Sequence, residues 1–92
     1  MPIDESQIER CKAIAREFGV KRLILFGSAL ETPATARDID LACDGVDGWR
    51  FFELAARLED QLNMPVDLVR LHPETPFVRY ITQKGRVIYE HQ

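Results

Sequence analysis

Ninety-two residues, 46% of them apolar, are enough for one domain, 1–92, with a modest core. A net charge of −3 excludes the broad basic surface that direct nucleic-acid binding needs, so any phosphorylated ligand must be neutralised by bound cations or a partner. Two cysteines, Cys11 and Cys43, fit neither a zinc spacing nor a disulfide scaffold and read as small core residues. No run reaches the roughly 18 apolar residues of a membrane span, and "MPIDESQIER" has no basic-then-apolar leader, so the expected location is the cytoplasm.

"DESQ" at 4–7 predicts a capping box, Asp4 as cap and Gln7 reaching back, with Ile8, Cys11, Ala15 and Phe18 at helical spacing and Gly19 as the stop. "VKRLILF", 20–26, reads as a buried strand ending at Gly27-Ser28. "ALETPATAR" reads as loop or one frayed turn, since Pro33 and two threonines interrupt a longer helix. "DIDLAC" is the second strand. Asp47 is placed to cap a helix through about Asn63, with Phe51, Ala55, Leu58 and Leu62 on its inner stripe. "VDLVRL" after Pro65 is the third strand. Thr75-Pro76 opens a helix with Phe77, Tyr80 and Ile81 inward, which Gly85 ends before an edge strand "RVIYE". Trp49, Phe51 and Phe52 read as helix packing, with Trp49 open to exposure at an interface; Tyr80 and Tyr89 read as core, and His72 and His91 as surface. The second and third strands, joined through a long helix, should lie side by side and parallel.

Side chains alternate across a strand, so Asp38 and Asp40 point together, their α-carbons about 6.6 Å apart, while Ile39, Leu41 and Cys43 point the other way. "PVDLV" repeats the arrangement with Asp67, which a suitable parallel register brings within roughly 5 Å of Asp40. Two such charges repel by about 3 kcal/mol at an effective dielectric near 20. The acids must diverge, retain a proton or hold divalent cations; hard ions such as Mg²⁺ prefer carboxylate oxygens, and a pair of them suits displacement at phosphorus. Gly27, with no β-carbon, admits a polyanion close to the backbone, and Ser28 adds a hydroxyl and an amide. With seven aspartates in the chain, the Asp-x-Asp pair says little alone. The ordered combination of strand, Gly-Ser, Asp-Ile-Asp in an apolar strand, helix, and a lone Asp in the next strand says much more.

On these residues the chain resembles the minimal nucleotidyltransferases of the DNA polymerase β-like superfamily, from "RLILFGS" through "DIDL" and "VDLV" to "QKGRVIYE". The resemblance implies an α/β (α+β) fold with a small mixed sheet of about four strands and three helices. It implies catalytic and metal-binding roles for Asp38, Asp40 and Asp67, two Mg²⁺ ions, and Gly27 and Ser28 as the nucleotide-phosphate site. The implied reaction moves a nucleoside monophosphate, AMP from ATP, onto a hydroxyl of a protein. "GSALETPATARD" departs from the family's Gly-Ser-x-Ala-x-Gly: its alanine comes one place early and it lacks the second glycine. Arg37 stands where a serine commonly precedes the first aspartate and should face solvent.

A chain this short leaves little to hold base and acceptor, so the missing surface comes from self-association or another protein. The resemblance points to a small helical HEPN-domain protein, toward which minimal nucleotidyltransferases act as antitoxins. The alternative is an antitoxin, catalytically weak or inactive, that neutralises its partner by binding. Modification of a small molecule such as an aminoglycoside is less favoured, because no substrate pocket is evident.

Overall fold

A computed structural model describes residues 4–91; Met1–Ile3 and Gln92, the ends of the expected domain, lie outside the described residues. Helix α1 spans Glu5–Phe18 and opens on the capping box: the Gln7 N–H donates to Asp4 Oδ1 and the Asp4 N–H to Gln7 Oε1, both at 2.9 Å. Gly19 closes the helix in the left-handed conformation. Its apolar period is the expected one, with Ile8, Cys11, Ala15 and Phe18 buried and Ile14 beside them.

Strand β1 (Arg22–Phe26) leads into a single turn of helix, α2 (Ser28–Glu31), which makes a fourth helix where a loop or frayed turn was expected. Strand β2 (Ile39–Asp44), helix α3 (Trp49–Leu62), strand β3 (Val66–Arg70), helix α4 (Pro76–Lys84) and strand β4 (Arg86–Glu90) follow. The sheet order is β3-β2-β1-β4, with β2 and β3 parallel and the other neighbours antiparallel. β4 is an edge strand as expected, and β3 is the other edge.

Strand alternation divides the sheet into two apolar faces. Leu23, Leu25, Ile39, Leu41 and Cys43 meet α1 and α3 in the main core; Ile24, Phe26 and Ala42 face Val78 and Ile81 of α4 in a smaller one. Each fully buried leucine or isoleucine is worth roughly 1.5–3 kcal/mol relative to exposure. Both cysteines lie in the main core with free thiols, as expected.

Three packing expectations are corrected. Asp47 does not cap α3: Gly48 takes that position at φ 61°, with no side-chain cap, and the buried stripe is Phe51, Leu54, Leu58 and Leu62, with Ala55 only half-buried. On α4 the inward side chains are Val78 and Ile81, while Phe77 and Tyr80 are 53% and 49% exposed. One helix of nine residues covers only part of a sheet face, so apolar residues at the margin of its arc meet solvent. Phe51 packs inward, whereas Phe52 is exposed; Trp49, for which exposure was left open, is 84% exposed. Tyr89 is half-buried against the main core, and His72 and His91 are on the surface.

Candidate functional site

The parallel pairing of β2 with β3 sets Ile39 opposite Val66, Asp40 opposite Asp67 and Ala42 opposite Val69. Directly paired residues point to one side of a sheet. Ala42 and Val69 belong to the smaller core under α4, so Asp40 and Asp67 share that face. Asp38 lies just before β2, is exposed, and raises the proton affinity of Asp40 through its charge. Antiparallel pairing with β1 sets Phe26 beside Asp40, so the Gly27-Ser28 bend emerges at the same end of the sheet.

Gly27 is held at φ 76° and ψ −154°, a conformation essentially reserved for glycine. The Asp40 carboxylate occupies the space a β-carbon at position 27 would take, with Cγ only 3.0 Å from that point and Oδ2 nearer still. The backbone bend and the carboxylate are thus built against each other. Ser28 is exposed and opens α2; its carbonyl accepts the Thr32 N–H at 2.8 Å.

The electrostatics are those of an unneutralised patch. Burial, then the charges of Asp38 and Asp67, push the Asp40 carboxyl above its ordinary value. Ion pairs among the described residues join Lys12 to Glu9, Arg57 to Glu17, His72 to Asp44, Arg79 to Glu74 and Arg86 to Glu5. None engages Asp38, Asp40 or Asp67. Arg37 is exposed, as expected.

The register brings Asp40 and Asp67 onto one face, with Asp38 in the bend before β2 near enough for its charge to act on Asp40, but does not close the three into a cage. Among the described residues no three histidine, cysteine or acidic side chains are drawn together closely enough to hold a metal ion as they stand. The donor chemistry nevertheless fits a hard cation that keeps some waters and shares its coordination with phosphate: all-oxygen, anionic and, among the described residues, in no ion pair with a cationic side chain. Asp38, Asp40 and Asp67 are the residues that would hold it. The patch is open sheet surface. A hollow of about 310 Å³ lined by Arg22, Leu71, His72, Val78 and Arg79 shares no residue with it.

Phe77 also belongs to this neighbourhood, and its helical period pointed instead to the core. Its ring meets Phe26 edge to face, with centroids 5.9 Å apart, next to the strand position paired with Asp40.

Residues 9–92 match the family model described as "Polymerase beta, Nucleotidyltransferase". No curated protein sequence matches the chain. Among solved structures, a toxin–antitoxin crystallised with AMP-PNP contains a chain 26% identical, at a TM-score of 0.71, with 98% of this chain and 76% of that one covered. A tri-AMPylated Shewanella oneidensis HEPN toxin in complex with an MNT antitoxin gives 22% identity and a TM-score of 0.74, over 98% of this chain and 75% of that one. The toxin–antitoxin MntA-HepT gives 22% and 0.73, over 97% and 74%. At 22% identity the likeness is one of fold.

Proposed function

The chain belongs to the polymerase beta nucleotidyltransferase family, and from that premise we propose that it is an antitoxin that transfers AMP from ATP, with Mg²⁺, to a hydroxyl of a HEPN-domain partner. The observation that carries this reading is Asp40, in register with Asp67 across the strands and packed against the bare α-carbon of Gly27, with no ion pair to either acid among the described residues.

The bend at Gly27, whose open side the Asp40 carboxylate fills, sets Ser28 beside the acids, and the Ser28 hydroxyl donates to the terminal phosphate oxygens of the triphosphate. Asp38, Asp40 and Asp67 would hold Mg²⁺, which when bound would supply charge neutralisation at the triphosphate and favour ionisation of the acceptor hydroxyl. Asp67, exposed where Asp40 is half-buried, takes the acceptor's proton. A bond forms from the acceptor oxygen to the α-phosphorus as the bond to the β-phosphate oxygen breaks, and pyrophosphate leaves. The partner supplies the acceptor and covers a site that this chain leaves open. A cytoplasmic location accords with that partnership.

Support for the partner and the reaction comes from the complexes of similar fold, one of them bearing an AMPylated HEPN toxin. A second reading, neutralisation by binding with weak or no catalysis, is favoured by one feature: "GSALETPATAR" lacks the family's second glycine. Incubation with α-labelled ATP, Mg²⁺ and the co-purified partner separates the two. Catalysis predicts label on the partner that drops at least a hundredfold with Asp38→Asn or Asp40→Asn. No label from the wild type, with full neutralisation by the doubly substituted chain, establishes occlusion instead.

A further inference from the structure

Resting on the nucleotidyl-transfer reading, we propose that Phe77 is the platform on which the nucleobase of the triphosphate stacks. The placement comes from three linked contacts. Phe26 is the last residue of β1 and the register partner of Asp40; Gly27 follows it and packs against the Asp40 carboxylate. The Phe77 ring meets Phe26 in a T-shaped contact with centroids 5.9 Å apart, on the same face as Asp40 and Asp67, and keeps 53% of its surface in solvent. Two steps of about 5–6 Å, one ring to ring and one cross-strand, link the ring through Phe26 to Asp40, with Asp67 one strand farther. A phosphate chain at the acids therefore leaves room for a sugar before its base reaches Phe77.

A buried phenylalanine at this margin would be ordinary packing; one half in solvent beside an anion site is not required by the core, which Val78 and Ile81 already close. The edge-to-face contact fixes the ring through Phe26, so a base gains a rigid π-face with little ordering cost. Tyr80, the next exposed ring along α4, extends the same strip. Stacking is tolerant of base identity, so Phe77 contributes affinity for nucleotides and leaves the choice among bases to other contacts.

Binding of ATP and of inorganic tripolyphosphate to the full chain, with Mg²⁺, tests this by calorimetry. Phe77→Ala and Phe77→Leu should each weaken ATP about tenfold or more and leave tripolyphosphate unchanged; Phe77→Trp should restore ATP binding. Phe77→Leu keeps an apolar side chain on Phe26, so the comparison survives if the alanine variant unfolds. Unchanged ATP affinity in the leucine variant, or equal losses for both ligands, overturns the platform while leaving the acid site standing. A wild-type chain that binds neither ligand overturns the nucleotide reading as well, and the platform with it.

Discussion

Gly27 and Asp40 form a single steric unit, and that unit is open to substitution. An alanine at 27 brings its β-carbon 3.0 Å from Asp40 Cγ, at a backbone φ of 76° that side chains other than hydrogen rarely adopt. The strain costs roughly 1–3 kcal/mol, and the carboxylate must swing away from the bend. Gly27→Ala should therefore lower the melting temperature and remove AMP transfer, whereas Ser28→Ala, which meets no such obstacle, should keep the stability and lose only phosphate affinity. Melting curves and label transfer, measured on both variants, check the pair. Asp40 itself behaves oppositely in stability. Its carboxyl is raised above the ordinary 3.8, so the folded chain holds that proton to higher pH than the unfolded chain does. Above that window the charged side chain weakens the fold. In chelator-treated protein Asp40→Asn should melt higher than wild type near pH 7. The advantage should shrink as pH falls through the raised value toward 3.8 and vanish below it. A variant that melts lower at neutral pH would mean that Asp40 is stabilised by its neighbours and that the acids do not repel.

At the level of elements, α4 depends on a cap that the sequence showed plainly. The Thr75 hydroxyl accepts the Val78 N–H at 3.1 Å, and Pro76 sits at the first helical position. Thr75→Ala should cost about 1 kcal/mol, a fall of about 4–8 °C in melting temperature for a chain of this size, and Thr75→Ser should recover most of it. The strand that carries the acids was legible for a related reason. "DIDL" and "VDLV" alternate apolar and acidic residues, and the intervening helix requires the two strands to run parallel, so the pattern offered the Asp40–Asp67 pairing for a suitable register, and the structure supplies that register. The margins of the helices were not legible. Period places Phe77 and Tyr80 on the apolar arc of α4, but how much sheet lies beneath that arc depends on where the helix crosses, which no local spacing encodes. Asp47 satisfies every compositional rule for a cap, and Gly48 displaces it by taking a positive φ one residue later. The carboxylates themselves could be placed on one face from sequence. Their closeness to the Gly27 α-carbon could not, because it depends on the antiparallel register of Phe26 with Asp40.

The two sheet faces give the whole molecule a division of labour: the α1/α3 face holds the main core, and the α4 face carries the acids at its uncovered end. Cys11 of α1 and Cys43 of β2 lie on the core side at 0% and 2% exposure, and burial raises both thiols to about 11. Thiolate is the reactive form. Near pH 8 it makes up about one part in a thousand of such a thiol, against about one in ten at the ordinary 9.0. The unfolded chain releases these protons as pH rises past 9 while the folded chain keeps them to about 11, so stability falls with rising pH across that window. Alkylation in native buffer must then pass through opening of the fold, with both cysteines modified together, and denaturant should release both at once. Cys43 also shares β2 with Asp40, so a ligand bound at the acids must be lost before that strand can open. ATP with Mg²⁺ at 100 times its dissociation constant should slow Cys43 labelling about a hundredfold when opening is fast relative to alkylation. The same addition should have no effect on the chain carrying Asp38→Asn with Asp40→Asn. Rapid labelling of one cysteine alone in the native chain would show local opening of its element. Labelling of both that ignores ATP in the wild type would show that no nucleotide is held on the opposite face of the sheet.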